Sequence, residues 1–174
     1  LITDKFFPTF EKMASTIERH NCLNVLVDLT GPGGDTITAI KIGLYIKLAG
    51  WSTTWGGYGV DWRTGYRVCN SSCPIIFFAG NKRFRGEKLR VAYKVPFGIH
   101  QPRNAISNVC TYRTLGTEVL RKYLMFVLAT EGDSLFREMM SIPCQTVAPP
   151  IEPEKRQLFT GRKTFLGEFV EGFD

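Results

Sequence analysis

One succession near the start of the chain constrains its fold more than any other feature. "LNVLVDL" (23–29) is a short β-branched apolar run suited to a buried strand. "TGPGGD" (30–35) breaks it sharply, "TITAIKIGLYIKLAG" (36–50) reads as a helix ending at Gly50, and "WSTTW" (51–55) reads as a second strand. Strands alternating with helices across short loops imply βαβ units and a largely parallel sheet, an α/β fold. In such folds chemistry gathers where strands hand over to helices.

The rest of the chain extends the pattern. Residues 8–20 read as a helix with Pro8 near its start and Phe10, Met13 and Ile17 on one face. A Gly-rich stretch, 56–65, reads as a surface excursion, and "YRVC" (66–69) returns to strand. "PIIFFAG" (74–80) opens with a proline suited to the first helical position, and 90–102 contains strand material ending in a polar loop. From Leu115, the residues Val119, Leu120, Tyr123, Leu124, Val127 and Leu128 recur at helical spacing, a stripe for core or interface packing. Residues 144–156 form a Pro-rich connector, and 157–174 a tail with one short strand, "QLFT". No repeat or low-complexity segment appears, so 1–174 is expected to be a single domain with its core in about 1–143.

At 174 residues the chain is long enough to bury a real core. It contains no run of about 18 apolar residues, so no integral membrane segment is expected. No signal-like segment opens the chain, and its start at Leu1 is compatible with a removed export signal. The formal net charge of +6 is scattered. Its one cluster, "NKRFRGEKLR" (81–90), reads as a solvated hairpin, and without a zinc-finger, KH or RRM signature no nucleic-acid partner is expected. Five cysteines and two histidines lack the spacing of a zinc site, so neither metal nor cofactor is expected. One or two disulfides fit an oxidising compartment, with the pairing left open.

Two strand-to-helix turns are chemically loaded. In "GPGGD", Gly33 and Gly34 free the backbone so that consecutive N–H groups can face an oxyanion or a phosphate. The pattern is neither a Walker loop nor GxGxxG, and on the glycines alone a tight connection that needs them only for shape is the better account. In "CNSSCP" (69–74), Pro74 puts Ser71, Ser72 and Cys73 at a helix start, where developing negative charge is favoured. A serine there caps more often than it reacts, a cysteine nucleophile stays open, and the GxSxG elbow is absent. His100, in "FGIHQP" (97–102), is one of only two histidines and also follows a strand, which makes it the available base for a serine nucleophile.

In this order, "LTGPGGDTITAIKIGLYI", "CNSSCPIIFFAGNKRF" and "FGIHQP" resemble the Clp protease proteolytic subunit family of the crotonase-like superfamily, and more closely its exported bacterial relatives. The resemblance covers roughly 23–102. In that family the nucleophile stands nine positions before the glycine of the AG pair, and nine before Gly80 is Ser71. Cys69, Ser71 and Cys73 reproduce the Cys-x-Ser-x-Cys frame of the exported relatives. The resemblance further implies His100 as general base and an oxyanion hole at the Gly33–Gly34 turn. The backbone N–H groups of Gly34 and Ser72 are its donors. The family's third triad member, an Asp, has no counterpart near "EKRQLFT", and Glu154 is the closest carboxylate.

The resemblance therefore implies a crotonase/Clp-protease-like βαβ spiral. The implied function is a serine hydrolase cleaving peptide or related acyl bonds with a Ser–His dyad or triad, without a cofactor. Peptide or protein substrates, homo-oligomers with the 115–128 helix as a contact element, and a periplasmic or otherwise exported location belong to the same expectation. A cytoplasmic location is the alternative. Two other readings share the fold: an inactive interaction module, consistent with the missing Asp, and an acyl-CoA-handling enzyme that uses the oxyanion hole for an enolate.

Overall fold

The computed structural model describes residues 2–55, 69–85, 97–99, 101–102 and 115–141. Helix α1 (Phe6–Arg19) carries Pro8 in its first turn, where the backbone N–H groups lack intrahelical partners in any case. Strand β1 (Leu26–Leu29) leads through the glycine turn into α2 (Thr36–Leu48), followed by β2 (Ser52–Trp55). Asp35 is the α2 N-cap, its carboxylate accepting the Thr38 N–H at 2.7 Å. At the other end Gly50 takes the left-handed conformation, φ 68°. There the Gly50 and Trp51 N–H groups bond to the Lys47 and Ile46 carbonyls, a Schellman closure. The helix thus ends at the glycine the sequence marks.

β1, β2 and β4 (Arg83–Arg85) form a parallel sheet with β2 in the middle. The parallel α/β reading of the sequence therefore holds. Of the hairpin expected over 81–90, residues 86–90 lie outside the described residues, and the described part includes Arg83–Arg85, which runs parallel to β2. Its cationic character has a local use, because Arg83 donates to the Gly80 carbonyl at 3.0 Å, just beyond a helix that needs its last carbonyls satisfied. That helix, α3 (Cys73–Phe77), has five residues and is shorter than the 74–80 span expected. It ends where the buried Thr53 hydroxyl donates to the Phe77 carbonyl at 2.7 Å.

α2 is central, packed against α1, α3 and α4 (Leu115–Leu128), and it buries Ala39, Ile40, Ile42 and Ile46 on several sides. Gly43 lets α4 approach: a Cβ there would stand 1.9 Å from the Tyr123 hydroxyl oxygen. That buried hydroxyl donates to the Ile75 carbonyl of α3 at 2.7 Å, and burial pushes its pKa far up, so it stays protonated. Along α4, Leu120, Tyr123, Leu124, Val127 and Leu128 are buried as expected. Val119 is not; with Met125 and Phe126 it is exposed, because these three lie off the stripe that meets α2. α5 (Thr130–Ser141) has no counterpart in the sequence reading and folds back on α4. Among the described residues no helix is long and apolar enough to cross a membrane. The excursion at 56–65, the connector at 144–156 and the tail at 157–174 lie outside the described residues.

Candidate functional site

A second, smaller parallel pairing builds the site. β3 (Cys69–Asn70) pairs with β5 (Phe97–Gly98), Asn70 opposite Gly98. On its other side Cys69 forms a parallel bridge with Gly31, two residues beyond β1. Three parallel stretches thus lie side by side, and parallel strands hand over to their loops at the same end. From that end depart "PGGD", "SSCP" and Ile99, which follows β5. Residues far apart in sequence meet there because the sheet is parallel.

The glycine turn is held by the chain's first described residue. Ile2 bridges Gly34 in parallel: the Ile2 N–H donates to the Gly33 carbonyl at 2.9 Å, and the Asp35 N–H donates to the Ile2 carbonyl at 2.8 Å. A Cβ on Gly34 would stand 2.0 Å from the Ile2 oxygen, so this close approach admits only glycine; φ of 146° at Gly34 adds a second reason. In a trans peptide the carbonyl and the following N–H point to opposite sides. With the Gly33 carbonyl and the Asp35 N–H both turned to Ile2, the Gly34 N–H and carbonyl both face away from it. The face they present is the one met by Ser72, whose hydroxyl donates to the Gly34 carbonyl at 2.5 Å.

The serine turn is equally constrained. Ser71 has φ of 59°, the left-handed region that a non-glycine residue enters at a cost of order 1–3 kcal/mol. A disulfide joins Cys69 and Cys73, closing a ring with Ser71 at its centre. The cysteines are therefore neither nucleophiles nor metal ligands. Ser71 is partly exposed, whereas Ser72 is 1% exposed and its hydroxyl is engaged. Ser72 stands at the N-cap of α3 without capping it by its side chain; the hydroxyl crosses to the other turn instead. Because α3 is a single short turn, little helix dipole acts here.

His100 and Glu154 lie outside the described residues. Beside His100 in sequence, Gln101 is buried, and its Nε2 donates to the Met140 carbonyl at 2.7 Å, tying this segment to the last turn of α5. Against the glycine turn opens a cleft of about 250 Å³, walled by Gly31, Gly33, Cys73 and Ile76, with Phe6 and Met13 of α1 opposite. Among the described residues no cluster of His, Cys, Asp and Glu could hold a metal ion. The disulfide pairing, open from the sequence, belongs to this site, and the Ser72 hydroxyl's bond to Gly34 is a feature the sequence does not announce. The adjacency of two cysteines around the serine was the available signal for the first.

No family model matches the chain, and no curated protein matches it. Among solved structures it is similar to two of a membrane-bound stomatin-specific protease, 1510-N. One, a lysine-to-alanine mutant in complex with a substrate peptide, matches with a TM-score of 0.57 and 14% identity over 80% of this chain and 61% of that one. The other, a serine-to-alanine mutant, matches with a TM-score of 0.55 and 14% identity over 80% and 65%. This chain thus spans less than two thirds of the length of either. The likeness establishes the fold, an α/β domain of the Clp-protease-like type.

Proposed function

We propose that this chain is a serine hydrolase of the Clp-protease-like type that cleaves peptide bonds, with Ser71 as nucleophile. The observation that carries the reading is a strained, partly exposed serine standing directly before Ser72, whose hydroxyl bonds to the glycine turn. Ser71 Oγ attacks the carbonyl carbon while His100 accepts its proton. The tetrahedral oxyanion takes hydrogen bonds from the Gly34 and Ser72 N–H groups, each donor being worth about 3 kcal/mol in the transition state. His100 then protonates the leaving amine, and water, deprotonated by the same imidazole, hydrolyses the acyl-enzyme. Glu154 is the carboxylate assigned to orient His100. The stomatin-specific protease neighbours support a peptide as substrate.

The same proposal includes export to an oxidising compartment, supported by the Cys69–Cys73 disulfide. It also includes self-assembly through α4, supported by the exposed Val119, Met125 and Phe126. An alkyl fluorophosphonate carrying a reporter tests the central claim. The native chain is expected to be labelled, and Ser71→Ala to abolish the label. A native chain that takes up no probe sinks the hydrolase reading in favour of an inactive module of the same fold.

A further inference from the structure

We propose that the Ser72 hydroxyl is a positioning group that sets the oxyanion donor of one turn against the nucleophile of the other. The inference rests on Ser71 as nucleophile and goes beyond it, because it assigns a role to a side chain that neither the nucleophile nor a backbone donor requires. Ser72 Oγ donates across the site to the Gly34 carbonyl, a link between residues far apart in sequence. The hydroxyl has no capping role at α3, and at 1% exposure it has no water to serve. Its acceptor belongs to the residue whose N–H is the assigned oxyanion donor. Ile2 holds the flanking peptides from the opposite face, through the Gly33 carbonyl and the Asp35 N–H. Ile2 can therefore fix how the glycine turn is tilted, but not how far it stands from Ser71. The Ser72 hydroxyl supplies that second constraint, since Ser72 is covalently next to Ser71. Without it the half-buried Gly34 carbonyl loses its partner, and the turn is free to shift toward another donor. A displacement of about 1 Å in a positioned group can cost about 100-fold in rate.

The experiment follows fluorophosphonate labelling against probe concentration, which separates the saturation constant from the maximal rate. Ser72→Ala is expected to lower the maximal rate between about tenfold and 100-fold, with the saturation constant changed less than about twofold. Ser72→Thr, which keeps the hydroxyl, is expected to restore most of the rate. Should Ser72→Ala fail to fold, Ser72→Thr against Ser72→Val makes the same comparison at constant shape. A Ser72→Ala protein that labels at the native maximal rate overturns the proposal while leaving Ser71 intact. So does a loss that only follows the folded fraction by circular dichroism, with Ser72→Thr no better than Ser72→Val. If Ser71→Ala still takes up the probe as the native chain does, the nucleophile assignment has failed, and the role of Ser72 fails with it.

Discussion

Ser71 sits in a conformation that costs energy, inside a ring that the Cys69–Cys73 disulfide closes. A disulfide acts largely by restricting the unfolded chain, and for a loop this short the chain-entropy estimate is about 2 kcal/mol. The double variant Cys69→Ala/Cys73→Ala is therefore expected to lose about 2 kcal/mol in urea denaturation. The native protein, unfolded and refolded under a dithiol reductant, should lose the same amount. Unchanged stability in both would show that the ring contributes nothing. Both cysteines are almost fully buried, so alanine is the appropriate replacement; serine would leave a hydroxyl in the core. At this scale the sequence shows which residue types stand at the turn but not what they do. With five cysteines the pairing was undetermined, and a hydroxyl that crosses to a distant carbonyl leaves no local signature.

The α4–α5 hairpin carries its own charge logic. Arg121 Nε donates to Asp133 at 2.7 Å and Arg137 bonds the same carboxylate at 2.8 Å, so Arg121 above all holds the Asp133 pKa below the usual carboxylate range. A depressed folded-state pKa contributes stability that is present above the unfolded value and lost as pH falls through the folded one. Melting temperature should therefore decline in that acid window, and Asp133→Asn should lower it at neutral pH while flattening the decline. An equal decline in both proteins would remove Asp133 from the account. The joint between the helices offers a second test. Ala129 has φ of 53°, which glycine adopts without penalty, so Ala129→Gly should raise stability by up to about 1 kcal/mol in urea melts. Helices α1, α2 and α4 were legible from apolar spacing and the glycine stop at Gly50. α5 was not, although Leu135 and Met139 stand four apart and are buried. Gly132 reads as a breaker in sequence, yet a Cβ there would stand 2.2 Å from the Leu124 carbonyl, so its absence is what lets the hairpin close. Asp35, a capping residue placed directly before Thr36, was legible in principle and went unread.

Across the whole molecule the alternation of strands and helices was enough to give a parallel α/β architecture, because crossover connections leave few other arrangements. The motif order gave the gathering of turns at one end of the sheet. The second pairing was less legible: β3 and β5 have two residues each, too few for any periodicity to show. Their register depends instead on packing contributed by distant parts of the chain, with Gln101 tied to α5 and Tyr123 of α4 tied to α3. The joins that make the site are all of this kind. Ile2 meets Gly34, Gly31 meets Cys69 and Asn70 meets Gly98, each closing a long loop of chain. Loop closure must be paid in entropy before such contacts return anything, so they form after the local helices do. Assembly of the site is therefore expected to follow formation of the helices that flank it.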